Sequence, residues 1–273
     1  MDRLASFPLV SPEPVAEPHL YAFEMTMPSG GRVEARRSVT PLRGGLTWVE
    51  EEMEATGRLG GPYATGPGWM VEWHCVQEGA VSFVQDGVRH RVEARAFGVL
   101  FAPFSVTQVE FEDVRSRWVG VAGEGPRPGR RDAPSILFEG EPDAAPRTAG
   151  DLLALLQETP VARSIERCTS PPPPAARAKH QLDATYRTTQ PIAALAAQLG
   201  VSHPHLTRQF KRAYGMSPVA YRQAVRAGEA MAKLARGERI VDVAGEVGYD
   251  DLGRFYKAFR RVMSASPGQC RLP

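Results

Sequence analysis

Apolar positions repeat between Pro191 and Arg271. Ile192, Leu195, Ala196 and Leu199 recur at helical spacing, so one face of a short helix is apolar. Gly200 follows that face and suits the left-handed residue that stops a helix. Ser202 can cap a second helix, in whose first turn Pro204 is tolerated. Forty-eight residues on, Ile240, Val243, Ala244, Val247, Gly248 and Asp250 repeat the pattern. Past the turn the offset becomes 49, with Leu206 matching Phe255, Phe210 matching Phe259, Lys211 matching Arg260 and Arg222 matching Arg271. Ser217–Pro218 likewise matches Ser266–Pro267. The pattern predicts a duplicated helix-turn-helix unit.

The second helix of each unit, over 203–214 and 251–262, has two unlike faces. At 100° per residue Leu206, Phe210 and Ala213 fall together, and Pro204, Thr207, Arg208, Lys211 and Arg212 fall opposite. In the second unit Phe255, Phe259 and Val262 are expected in the core. Gly253, Tyr256, Lys257, Arg260 and Arg261 then face outward. A major groove admits one such helix, and cationic forks meet phosphates and guanine edges there. Both outward faces together are the candidate DNA-binding residues.

The pattern changes upstream. From His19 to about Gly123 short runs rich in β-branched and aromatic residues alternate with Gly and Pro. Strands are expected at Tyr21–Met27, Arg32–Arg37, Leu46–Glu52 and Met70–Val76. Asp86-Gly87 between two β-rich runs predicts a hairpin. "FGVLFAP", "VTQVEFEDV" and "SRWVGVAG" follow as separate candidates. Many short strands indicate a sandwich or small barrel. All four tryptophans, Trp48, Trp69, Trp73 and Trp118, lie here, and Trp69, Trp73 and Phe83 are the candidate walls of an organic-ligand site.

Residues 1–18 are proline-rich and read as a flexible arm. "AGDLLALLQETPVARSIER" reads as a helix broken near Pro160, with a Leu152, Leu155 and Leu156 stripe. Pro171–Pro174 predicts a stiff extended spacer of about 3 Å per residue. The first helix of the last domain is expected from near Ala175 to near Arg187.

Composition sharpens this. A chain of 273 residues with 42% hydrophobic content should hold two globular domains. No apolar run reaches 18 residues, and the start lacks the apolar core of a signal peptide, so a cytoplasmic protein off the membrane is expected. Cys75, Cys168 and Cys270 are odd in number and far apart, which fits neither a disulfide framework nor a zinc site. The net charge of +2 hides an asymmetry. Residues 175–273 hold 16 lysines and arginines against 7 acids, and the remainder 17 against 24. The basic part contains the reading helices, and the acidic part should limit non-specific DNA affinity.

Residues 177–273 resemble the DNA-binding domain of AraC/XylS transcriptional regulators. The resemblance rests on "IAALAAQLGVSHPHLTRQFKRAYGMSPVAYR" and, most specifically, on "IVDVAGEVGYDDLGRFYKAFRRVMSASPGQCR". It implies seven helices, with a connecting helix at about Pro218–Arg236. Two positions depart: Ser264 stands where the family has glycine, and Gly253 occupies an outward position where a longer side chain would read a base. That implies a second unit acting mainly on the backbone. The N-terminal half resembles, on strand pattern and position, the cupin-type effector domain of such regulators. Helices like that at 150–167 dimerise some of them; packing on its own barrel is the alternative. Catalytic cupins carry a two-histidine-plus-carboxylate metal set. Here Val76 stands two residues after His74, Thr107-Gln108 ends the later segment, and His90 sits between Arg89 and Arg91. No metal, cofactor or catalytic residue is expected.

The expectation is an α+β two-domain protein: an N-terminal β-barrel or cupin-like domain and a C-terminal all-α domain with two helix-turn-helix motifs. Its divisions are an arm at 1–18, an effector domain at 19–149, a connecting or dimerisation helix at 150–167, a proline-rich linker at 168–176 and a DNA-binding domain at 177–273. The expected function is a DNA-binding regulator that answers to a small organic effector. Double-stranded DNA and RNA polymerase are the expected macromolecular partners, and a homodimer the expected assembly, with a monomer as alternative. Two rival readings are a constitutive regulator whose N-terminal half only dimerises, and a cupin-type enzyme with a DNA-binding appendage.

Overall fold

The computed structural model describes residues 13–26, 31–85, 88–92, 96–124, 136–140, 145–158, 163–164, 173–263 and 265–271. An antiparallel sheet domain comes first and a helical domain second, as the sequence pattern anticipates. The strands are β1 (His19–Thr26), β2 (Arg32–Leu42), β3 (Leu46–Ala64), β4 (Trp69–Gln85), β5 (Val88–Val92), β6 (Ala96–Phe101), β7 (Val106–Gly123), β8 (Ile136–Gly140) and β9 (Arg163–Ser164). They pair in the order β1-β2-β3-β7-β4-β6-β8-β9, with β5 joined to β4. Gln85 pairs with Val88, so the expected hairpin forms around Asp86-Gly87, two residues outside the described set. The side chain of His90 lies outside it too.

The three central strands are longer than expected. Glycines that read as strand ends are irregularities inside continuous strands. Gly57 of β3 has φ +78° and Gly79 of β4 has φ +77°, conformations that favour glycine. Asp113 of β7 lies between them at φ +45°, and its Oδ1 accepts the Gly57 N–H at 2.8 Å. A Cβ on Gly79 would stand 2.2 Å from the Asp113 carbonyl oxygen. The β3–β7 and β4–β7 registers shift at these glycines, which is how a bulge adds twist and bends a sheet. "VTQVEFEDV" and "SRWVGVAG" are therefore one strand, β7, and β3 runs on to Ala64.

The sheet carries two cores, and alternate residues of β6 enter different ones. Trp48, Trp69, Val71, Trp73 and Leu100 form one, and Met53, Leu59, Phe83, Phe97 and Phe101 form the other. Helix α1 (Ala149–Glu158) closes the first. Thr148 and Asp151 cap it reciprocally: the Asp151 N–H donates to Thr148 Oγ1 at 3.2 Å and the Thr148 N–H to Asp151 Oδ2 at 2.8 Å. Leu152 and Leu153 are buried against the tryptophans. Of the two readings of this helix, dimerisation or packing on its own barrel, the fold shows Leu152 and Leu153 packed on the sheet, with Leu155 at the margin. The side chain of Leu156 lies outside the described residues.

Two expected boundaries move. Pro14 bridges Leu42, and the Val15 N–H donates to the Pro41 carbonyl at 3.0 Å, so the end of the expected arm lies along β2. Helix α2 (Pro173–Thr185) begins inside the proline run. Pro173 and Pro174 occupy its first turn, where a missing N–H costs nothing, so the expected linker at 168–176 is shorter. Six more helices follow: α3 (Ile192–Gln198), α4 (His203–Tyr214), α5 (Pro218–Leu234), α6 (Ile240–Glu246), α7 (Leu252–Met263) and α8 (Pro267–Cys270). With α2 they make the seven that the resemblance implies.

The two domains touch through a pair of loops. The Thr65 N–H donates to Ser105 and the Phe104 N–H to Gly66, tying residues 64–68 to 102–105. This corner rests on α5, where a Cβ on Gly66 would stand 2.8 Å from the Glu229 nitrogen. Ala64, Phe104 and Val106 join the apolar cluster of the first helical unit, and Tyr21 joins that of the second. An ion pair, Arg236 with Glu124 at 3.3 Å, spans the domains on a half-exposed rim. Such a pair is worth about 0–1 kcal/mol. Apolar burial and close backbone contact carry the docking.

Candidate nucleic-acid interface and interdomain cavity

Local rules set α4. Ser202 accepts the His205 N–H at 3.4 Å, Pro204 lies in the first turn, and Gly215 ends the helix at φ +74°. Leu206 and Phe210 are fully buried, and Phe210 packs on Tyr214 and Tyr221 with ring centres 4.6 and 5.6 Å away. Pro204, Arg208, Lys211 and Arg212 are exposed, with Thr207 half-buried among them. His205 Nδ1 and Arg208 Nη2 stand 3.4 Å apart on this face.

Helix α7 repeats the plan with differences. Asp251 caps it, accepting the Arg254 N–H at 2.6 Å. Ser202 therefore corresponds to Asp251, and Asp250 is the added residue of the second turn. Phe255 and Phe259 are buried with ring centres 5.6 Å apart. Gly253, Lys257, Arg260 and Arg261 are exposed, and Tyr256 is half-buried, edge-on to Phe255. Val262, expected in the core, is 36% exposed; Met263 packs against that cluster instead. Arg254 is a further exposed cation that sequence reasoning missed, although its spacing of three from Lys257 marks the same face. Ser264 lies outside the described residues.

Arginines lock the units to their surroundings. Arg222 donates to the Gln190 carbonyl, and Arg271 Nε donates to the Glu238 carbonyl at 3.0 Å. Each carbonyl lies two residues before the first helix of its unit. Between the units, Arg226 Nε donates to the Tyr186 carbonyl at 2.6 Å and its Nη2 to Thr188 at 2.7 Å, under the ring of Tyr249. The turn glycines differ: a Cβ on Gly200 would meet open space, but on Gly248 it would stand 2.0 Å from the Arg187 carbonyl oxygen.

Residues 195–272 match the family model described as a helix-turn-helix domain. The match is to an AraC-type helix-turn-helix domain. The chain is 31% identical over 117 residues to the bifunctional transcriptional activator/DNA repair enzyme Ada of Escherichia coli, covering 40% of this chain and 32% of Ada. The chain thus spans about a third of that relative's length. Among solved structures, the C-terminal domain of AraT, a response regulator from Geobacillus stearothermophilus, is 28% identical over 38% of this chain and 87% of its own, with TM-score 0.36. Unsaturated fatty acid-bound ToxT from Vibrio cholerae is 12% identical over 77% of this chain and 93% of its own, with TM-score 0.44.

A cavity of about 240 Å³ lies between the sheet and α5 of the AraC-type domain. Of the three expected ligand-site aromatics, only Trp69 lines it. Trp73 and Phe83 are sealed in separate cores. Alternation along β4 explains Trp73: Met70 and Glu72 face the cavity, whereas Val71 and Trp73 face α1. Tyr21, Tyr63 and Trp118 are the other aromatic walls.

The polar part of the wall is a buried network. Arg37 pairs with Glu51, and its Nη1 donates to the Tyr21 hydroxyl at 3.1 Å. The other Glu51 oxygen accepts the Trp118 indole N–H at 2.8 Å. Burial pushes the Tyr21 hydroxyl well above its ordinary pKa. His74 is a core residue: its Nε2 bonds Glu72 at 2.8 Å and its ring stacks on Phe97 at 4.8 Å. Among the described residues no three His, Cys, Asp or Glu side chains converge as a metal set. No described helix is long and apolar enough to cross a membrane.

Proposed function

We propose that this chain is a sequence-specific DNA-binding transcriptional regulator whose α4 and α7 enter the major groove, and whose DNA binding answers to a small molecule held by the N-terminal domain. The observation that carries the DNA reading is the doubled reading helix. Phe210 and Phe259 anchor α4 and α7 while Arg208, Lys211 and Arg212, and Lys257, Arg260 and Arg261, stand exposed on the opposite faces. Exposed arginines and lysines on a rigid helix supply both phosphate contacts and base-edge donors. The exposed Gly253 offers no side chain, so α7 acts mainly on the backbone, with Arg254 beside it. The protein works in the cytoplasm, where its DNA is.

The effector reading rests on the cavity, whose walls belong to both domains. A molecule held there has different contacts in docked and undocked arrangements, which is the condition for a ligand to shift an equilibrium. An enzyme with a DNA-binding appendage is disfavoured, because the cavity wall offers an ion-paired network and no pre-set nucleophile and base. A genomic pull-down with the purified chain, followed by footprinting on the enriched sites, tests the reading. Protection of paired major-groove segments supports it; binding that ignores sequence at every salt concentration overturns it.

A further inference from the structure

The cavity also indicates what kind of molecule it takes, if the chain is the effector-responsive regulator proposed above. Five charged side chains line it, and each already has a partner. Arg37 is held by Glu51 and Tyr21. Glu72 holds His74. Glu229 pairs with Arg187. Arg236 binds Glu238 at 2.9 Å and reaches the remaining acid, Glu124, at 3.3 Å. An incoming carboxylate would therefore lose its water and find both lining arginines already held by acids. An ammonium would have to take a carboxylate from Arg187, Arg236 or the His74 hydrogen bond. The wall does not offset these costs.

The rest of the wall is apolar. Tyr63, Trp69 and Trp118 supply rigid aromatic surface from the sheet, and Met231 and Met263 supply adaptable surface from the helices. At about 240 Å³ the cavity lies just below the usual range for small-molecule sites, roughly 300–1,000 Å³. We infer that it binds a small, uncharged, largely apolar molecule that touches the sheet and α5 together. The methionines suit an aliphatic chain or a single ring, and the Thr47 hydroxyl suits one neutral polar head. A molecule seated there bridges the sheet to the helix that connects the two helix-turn-helix units.

The test uses the full chain and three probes of equal chain length that differ in head-group charge at pH 7: 1-decanol, decanoate and decylamine, all below micellar concentration. Calorimetric titration and thermal melts read binding. Decanol should bind one site per chain, about tenfold or more tighter than either charged probe. Ala232→Phe fills the cavity from α5 and Val49→Phe fills it from the sheet; each should weaken decanol at least about tenfold while leaving the circular dichroism of the parent. If one variant fails to fold, the other decides. A charged probe that binds as tightly as decanol overturns the neutral assignment. Binding that persists in the folded variants, or no binding by any probe, overturns the site. Footprinting of the parent is run separately: its failure strikes the regulator reading and leaves the probe result to judge the cavity.

Discussion

Arg271 Nε donates to the carbonyl of Glu238 at 3.0 Å, joining the end of the second helix-turn-helix unit to the segment that leads into its first helix. A second carbonyl, Gly237, accepts from the same guanidinium at 3.2 Å. Arg222 closes the first unit in the same manner through Gln190. Duplication has preserved a clasp as well as a core.

Arg271→Ala should cost about 1–3 kcal/mol, since two backbone carbonyls lose a charged donor. Arg271→Lys should recover only part of it, because an ammonium cannot span both oxygens as a fork does. Denaturant melts of the full chain read the effect. Parent-like stability in the alanine variant would remove the clasp from the account.

Arg208→Ala should weaken operator binding by about 1–3 kcal/mol and leave the fold unchanged, because Arg208 is exposed opposite buried Leu206 and Phe210. A titration on the footprinted site measures it. Equal affinity in a folded variant would take Arg208 out of the interface.

Phe210→Ala and Phe259→Ala should each destabilise the helical domain by about 3–5 kcal/mol, as both rings are buried at equivalent places. Val262→Ala should cost far less, since Val262 is partly exposed. Thermal melts rank the three, and a Val262 variant as damaged as the phenylalanine ones would contradict the burial pattern.

Cys270 should resist alkylation in the native protein. It is 1% exposed, and burial pushes its thiol up to about 11, so little thiolate exists near neutral pH. Maleimide labelling followed by mass spectrometry should show Cys270 modified only after denaturation. Fast native labelling would mean that the contact of α8 with β1 opens readily.

Gly228→Leu should separate the domains. A Cβ there would stand 2.9 Å from the Gly66 nitrogen, and this neighbour is backbone that cannot swing away. Small-angle scattering should show an expanded particle whose helical content equals the parent's. An unchanged radius would show that the corner of the sheet tolerates the intrusion.

The helical domain was legible because its signals are local. Helical spacing, Ser202, Ser217, Ser266 and the turn glycines each act within a few residues, and they placed α4, α5 and α7 to within about two residues. Asp250 and Asp251 are adjacent, and only geometry shows that Asp251 is the cap of α7. The sheet was legible in class and not in length. Gly57, Gly79 and Asp113 carry turn chemistry, and nothing local tells that they meet across three strands as bulges. The ligand wall was least legible. Alternation places Trp69, Val71 and Trp73 together, but only the packing of α1 shows that this face is sealed. Tyr21, Trp118 and Met231 converge from distant stretches, so no sequence pattern could have joined them.

Helix α5 is about 25 Å long at 1.5 Å per residue. Tyr221 near its start packs on Phe210 of the first unit, and Gly228, Met231 and Ala235 farther along face the cavity. Leu234 near its end lies in the core of the second unit. One stiff rod is therefore the floor of the chemical chamber and the crossbar between the two helix-turn-helix units. In the regulator proposed above, a message from chamber to DNA needs no relay: a small tilt of the crossbar would alter the spacing of the two units, and the geometry of the grip would itself be the reading of the gauge.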